Sequence, residues 1–218
     1  MSSPAKIILA LTFIVTLSGC VIRVNAQGNG GNVDKVMGGI DIERGRSVGD
    51  LSSVNGGITL KDDVHAGNVS TVNGSVTVHD HVSVDSIKTT NGAIRADRDF
   101  SSNGDLKTVN GSVKLRQGGY VDGSIATVNG AIDLNHVRVT HDLETLNGDV
   151  SVRNGSEIDG DVTFKHVHHR YSRDSRPTLT VDSDSIIKGT IYIYQPVDVH
   201  IAAGAHVGNL VKRYDDVE

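Results

Sequence analysis

The sequence predicts an all-β fold: a single-stranded parallel β-solenoid of about ten coils, each 18–19 residues long. A right-handed β-helix follows from the general preference of parallel connections. Three observations carry the prediction. Asn-Gly pairs begin at Asn55, Asn73, Asn91, Asn110, Asn129 and Asn147, in steps of 18, 18, 19, 19 and 18. A regular step of that size marks one unit stacked on copies of itself. Around each Asn, three columns are apolar in every repeat: four before it (Leu51, Val69, Ile87, Leu106, Ile125, Leu143), three after it and five after it. Finally, aromatics make up 4% of the chain, Trp is absent and there are 25 glycines, which suits a narrow interior filled by Val and Ile.

Residues 1–19 read as a lipoprotein signal peptide. Lys6 and the free amine precede an apolar run of eleven from Ile7 to Leu17, too short to span a bilayer but long enough for export. The run ends in Leu17-Ser18-Gly19-Cys20, which resembles the bacterial lipobox, cut before a Cys that is then acylated. Cys20 is the sole cysteine, so no internal disulfide is possible. Several acyl chains, palmitate among them, at about 0.8 kcal/mol per buried CH₂ would make a stable anchor. Val21 after the Cys resembles lipoproteins that proceed to the outer membrane, if the source is Gram-negative. Residues 20–32 then form the lipidated Cys and a Gly/Asn-rich tether.

The solenoid domain spans 33–218. Met37-Gly38-Gly39-Ile40-Asp41-Ile42 copies Asn55-Gly56-Gly57-Ile58-Thr59-Leu60 with Met in the Asn place. In each coil the third and fifth residues after Asn alternate with a polar one, the period-two signature of a strand with one buried face. Because columns align from unit to unit, Asn-Gly marks a corner rather than a hairpin. There the Asn side chains form an amide ladder, and Gly supplies left-handed backbone. A third short strand through Val64, Val82, Val84, Phe100, Val121, Val137 and Val139 closes the coil. Asp159 to Phe164, Lys188 to Ile193 and Val207 to Leu210 read as later copies of the Asn-Gly frame, with an insertion loop at 165–178. At ~4.8 Å between strands the rod is about 45 Å long. Its C-terminal end is capped by Lys212-Arg213-Tyr214-Asp215-Asp216.

No catalytic residue and no cofactor is expected. His166 and His168 have strand spacing, so with His169 or Asp174 they are the candidates for a metal. Their loop reads more simply as a solvated basic segment whose Arg170, Arg173 and Arg176 could meet an anionic polymer. The other seven histidines read as surface residues. Arg95, Lys114 and Asp133 share an outward column on consecutive coils, the arrangement a β-helical polysaccharide-active enzyme would need. A net charge of −5 with no basic stripe argues against nucleic acid. Two columns before the Asn leave a question open: Ser53, Thr71, Thr89, Thr108, Thr127, Thr145 sit beside Val54, Val72, Thr90, Val109, Val128, Leu146. An exposed Thr column would give a hydroxyl ladder of the kind ice-binding solenoids use. An exposed Val column would give an apolar stripe that invites lateral contact.

The repeated Thr-Val-Asn-Gly-x-Ile/Val-x-Leu/Val, over about 33–164 and more loosely 179–211, resembles the bacterial adhesin-like β-strand-repeat family, a domain of unknown function. The resemblance implies a right-handed solenoid without assigned catalytic residues, and an adhesin-like surface role. A second resemblance is to bactofilins, solenoids that polymerise end to end, although these face the cytoplasm and lack an export signal. The expectation is a lipid-anchored envelope protein that is not an enzyme. Its partners would be the membrane through Cys20 and an envelope polysaccharide or protein, with self-association as the alternative.

Overall fold

The computed structural model describes residues 22–24, 30–166 and 176–214. Every described strand pairs in parallel, and no helix occurs among the described residues. About nine turns of roughly 19 residues stack into a solenoid. Each turn contributes to three walls. The first holds the strand that ends at the Asn column, such as Leu51–Asn55 and Leu106–Asn110. The second holds the strand after the corner, such as Ile58–Leu60 and Val113–Leu115. The third holds short segments such as Ser101–Ser102 and Gly119–Val121. Ten strands build the second wall from Ile22–Val24 to Asp198–Ile201. The first and third walls form one sheet because His65–Asn73 and Ser83–Asn91, nine residues each, run through both.

Register follows the sequence columns: Leu51 faces Val69, Asn55 faces Asn73, and Ile58 faces Val76. Inward columns are closed to solvent, including all the residues expected to build the third strand, with Val64, Val121 and Val139 at 0% exposure. Each fully buried Val, Leu or Ile contributes about 1.5–3 kcal/mol, so the continuous column of them is the main source of stability.

Several expectations need correction. The ladder opens before residue 33: Ile22–Val24 pairs with Ile40–Ile42, inside the segment read as a tether. That triplet has the apolar-polar-apolar pattern but no Asn-Gly ahead of it, so the repeat frame does not reach it. Val162–Phe164 pairs with Leu143–Thr145, and Ile191–Ile193 with Val162–Phe164. These strands therefore belong to the first wall, not to the second-wall position that an Asn-Gly frame implies. The same holds for Leu210–Lys212. The reason is local: a sharp Gly turn followed by an in-out-in triplet occurs at two different corners, and the sequence pattern does not distinguish them. Thr178 already belongs to strand Thr178–Val181. Lys212 ends the last first-wall strand rather than capping it, Tyr214 packs partly buried against the core, and Asp215 and Asp216 lie outside the described residues.

The insertion leaves the chain between first-wall Val162–Phe164 and second-wall Thr178–Val181, where the other coils carry Asn-Gly. In the stack of corners, buried Gln195 from the last turn donates its side-chain N–H to the Leu146 carbonyl, 49 residues back, across the coil whose corner the insertion replaces.

Candidate functional site

The Asn-Gly corner is built from three ladders. Asn Nδ2 groups donate to the Oδ1 of the preceding coil from Asn73 to Asn147, at 2.8–2.9 Å. The Thr column faces inward, and Thr71, Thr89, Thr108 and Thr127 donate to the carbonyls of Gly56, Gly74, Gly92 and Gly111 at 2.9–3.0 Å. The glycines stack so closely that a Cβ on Gly111 would lie 2.0 Å from the Gly92 oxygen, and one on Gly92 1.9 Å from the Gly74 oxygen. Close backbone approach, not left-handed backbone, is therefore why Gly stands there: Gly38 is the corner glycine of positive φ. Left-handed residues occupy the next corner instead, at Gly45, Asp63, His81, Asp99, Gly118, His136 and Asn154.

With Thr turned inward, the valine column faces solvent. Val36 is 68% exposed, Val54 40%, Val72 42% and Val109 38%, and Met37 beside Val36 in the Asn column is 57% exposed. The outward column beside it reads Ser52, Ser70, Lys88, Lys107, Ala126, Glu144 in direct register. Between the two columns runs a groove of about 300 Å³ with Ala126 at its centre, lined by Lys88, Lys107, Val109, Val128 and Leu146 among others.

The other two walls are largely polar outside. The second-wall outward column is Asp41, Thr59, Thr77, Arg95, Lys114, Asp133, Ser151. It does bring the three candidate residues of a polysaccharide-active site together, but Asp133 is engaged by Arg153 from the following coil. At the left-handed corner, charges alternate between coils: Arg44 with Asp63 at 2.9 Å, Asp80 with Arg98 at 2.7 Å, and His81 between Asp63 and Asp99. The hydrogen bonds from Arg98 hold the Asp80 carboxyl below the usual carboxylate range. On the third wall Lys188 lies 2.6 Å from Asp159 and also meets Glu157, while Arg138 lies 2.9 Å from Asp159. Above all it is Lys188, as a hydrogen-bond donor, that depresses the Asp159 pKa.

Cys20, His168 and His169 lie outside the described residues, and His166 is exposed at the start of the insertion. Among the described residues no three His, Cys, Asp or Glu side chains are grouped to hold a metal ion, and no helix is long and apolar enough to cross a membrane. The exposed valine column is a feature the sequence displays without deciding its direction. In four coils the neighbouring Thr-to-Gly bond accompanies that direction, and it needs the stacked geometry. Comparison of the chain with protein-family models, curated proteins and solved structures gives no match.

Proposed function

We propose that the protein is a lipid-anchored β-solenoid of the bacterial cell envelope that acts as a non-enzymatic, adhesin-like interaction protein. The observation that carries this reading is the first wall, where Val36, Val54, Val72 and Val109 are exposed in one column, interrupted by Thr90, beside lysines. Elsewhere on the rod Asp80, Asp133 and Asp159 are each engaged by basic side chains of neighbouring coils. A long repetitive face of this kind favours contact with an extended partner. The anchor is supported by Leu17-Ser18-Gly19-Cys20 after an apolar run of eleven. Palmitate is expected to label the wild-type chain and not Cys20→Ala; a Cys20→Ala chain that stays labelled sinks the anchor. The interaction reading expects that substituting outward residues of one wall abolishes attachment to envelope material while the fold survives. A panel of such variants with unchanged attachment overturns it.

One observation favours a second reading, a self-assembling envelope scaffold. In the last turn Val199, Ile201 and Val207 are only partly buried, whereas their register partners Leu179, Val181 and Ile187 are 0–1% exposed. The strand Asp198–Ile201 is thus an open edge. Sedimentation velocity of residues 21–218 over a wide concentration range separates the two readings: a constant monomer supports the binding protein, and growth into rods supports the scaffold.

A further inference from the structure

We propose that the outward face of the first wall is a docking surface for an anionic lipid bilayer, so that the rod lies along the membrane rather than standing away from it. The inference deepens the interaction reading above and rests on it only for the compartment. An exposed apolar stripe on one face of a rigid sheet is the mark of an interface, and two features decide what covers this one.

The first is charge. Lys88 and Lys107 are direct register neighbours on adjacent strands, beside the groove. Like charges so placed repel; Lys107 has Asp105 at 2.5 Å, whereas Lys88 forms no salt bridge among the described residues. Lys165 and Arg213 extend the basic character along the same wall, against Asp34, Asp105 and Glu144. The chain as a whole carries −5, whereas this face carries slightly more basic than acidic groups. A second copy fits poorly. An isologous contact pairs a patch with itself, and Lys88 and Lys107 flank the stripe at its middle, so a two-fold contact centred there would bring four lysines together.

The second feature is the distribution of apolar and aromatic groups. Exposure is highest at Val36 and Met37, toward the end where the chain begins. At the far end, on the same face, Tyr192 and Tyr194 stack at 6.3 Å between centroids, with the Arg213 guanidinium 5.5 Å from the first ring. Tyrosines and basic side chains over valines match the apolar-to-polar gradient of a lipid headgroup region. The outward columns of the second wall are polar throughout and offer no such gradient.

The test uses residues 21–218, which hold every described strand, and vesicles sedimented with the protein. Vesicles of equal phosphatidylglycerol and phosphatidylcholine are expected to carry the protein down, and pure phosphatidylcholine far less. Each juxtamembrane cation contributes about 1 kcal/mol, or about fivefold, so Lys88→Gln with Lys107→Gln should weaken binding roughly 25-fold. Val72→Ser with Val109→Ser should also release the protein, with an unchanged far-ultraviolet spectrum. Arg95→Gln with Lys114→Gln, which removes the same charge from the second wall, should leave binding within about twofold. Failure of the wild-type protein to bind anionic vesicles overturns the proposal. So does an equal loss in the second-wall variant, or a dimer that Val72→Ser dissociates in the absence of vesicle binding. Because the lipid at Cys20 is absent, none of these outcomes depends on whether that residue is acylated.

Discussion

Gly111→Ala tests why the corner is made of glycine. The new Cβ would lie 2.0 Å from the Gly92 oxygen, 2.5 Å from its carbonyl carbon and 3.0 Å from the Ala93 nitrogen, all backbone atoms of the coil above. Carbon and oxygen need more than 3 Å, so two strands held in register must part by about 1 Å locally. Overpacking of that kind costs about 2 kcal/mol. The Thr108 hydroxyl, which donates to that same Gly92 oxygen at 2.9 Å, loses its geometry for about 1 kcal/mol more. The expected loss is about 3 kcal/mol. If glycine stood there for left-handed backbone, Ala would cost about 1 kcal/mol and Gly111→Asn less, since Asn tolerates that region. Close approach makes Asn at least as harmful as Ala. Urea unfolding followed by far-ultraviolet circular dichroism measures both, with Gly31→Ala as a control because its Cβ meets nothing within 4 Å. A loss below 1 kcal/mol in Gly111→Ala, or an Asn variant milder than the Ala one, refutes the packing argument.

Asn91→Ala removes two amide bonds, to Asn73 at 2.9 Å and from Asn110 at 2.8 Å, and should lower stability by about 1–2 kcal/mol in the same urea assay. Thr108→Val keeps the buried shape but leaves the Gly92 carbonyl without its hydroxyl donor, for a loss of about 1 kcal/mol and faster amide exchange at the corner. Asp159 has a depressed pKa in the folded chain, so its contribution is full above its unfolded pKa of about 4 and is lost as pH falls through the lower folded value. The melting temperatures of wild type and Asp159→Asn should therefore differ at pH 7 and converge toward pH 2. Gln195→Ala opens the corner beside the insertion and strips the Leu146 carbonyl of its donor, at about 2–3 kcal/mol. Limited proteolysis should then cut first in the last two turns.

Much of this fold is legible because a solenoid writes its geometry into columns. The step between Asn residues gives the turn length, and the alternation after each Asn gives the buried face; both match the register pairings. Ile22-Arg23-Val24 shows the limit, since a single apolar-polar-apolar triplet has no repeat of its own to identify it. Asp159-Gly160 and Lys188-Gly189 show another. Gly189 packs on Gly160 with 2.2 Å between its virtual Cβ and the carbonyl oxygen, the same contact that the Asn-Gly corners make, at a different vertex of the coil. Local sequence encodes the sharpness of a turn; which vertex it occupies depends on how many residues have already been used in that coil.

The direction of the Thr and Val columns depends on the same stacking. In an isolated strand the pair Thr-Val is symmetric: either residue could face the core, and burial of the larger apolar group would favour Val. Stacking breaks the symmetry, because tightly packed glycines leave a carbonyl at the inner side of the corner that needs a donor, and only the Thr hydroxyl of the next coil can reach it. Satisfying that buried acceptor is worth about as much as burying one valine is, and it fixes the corner geometry on which the amide ladder depends. The valines are then turned outward in every coil that keeps the Thr-Val-Asn-Gly order. The outward stripe thus goes with the hydrogen-bonded corner at Thr71, Thr89, Thr108 and Thr127, while Ser53 and Thr145 are buried in the same column without such a bond. The lysines beside it follow from no such requirement, since the corner bonds would form equally well with serine at 88 and 107, as it stands at 52 and 70. Of the first wall's two outward columns, the polar one is thus the one the fold left free to vary, and the adjacent pair Lys88 and Lys107 within it is a pointer to what the wall touches.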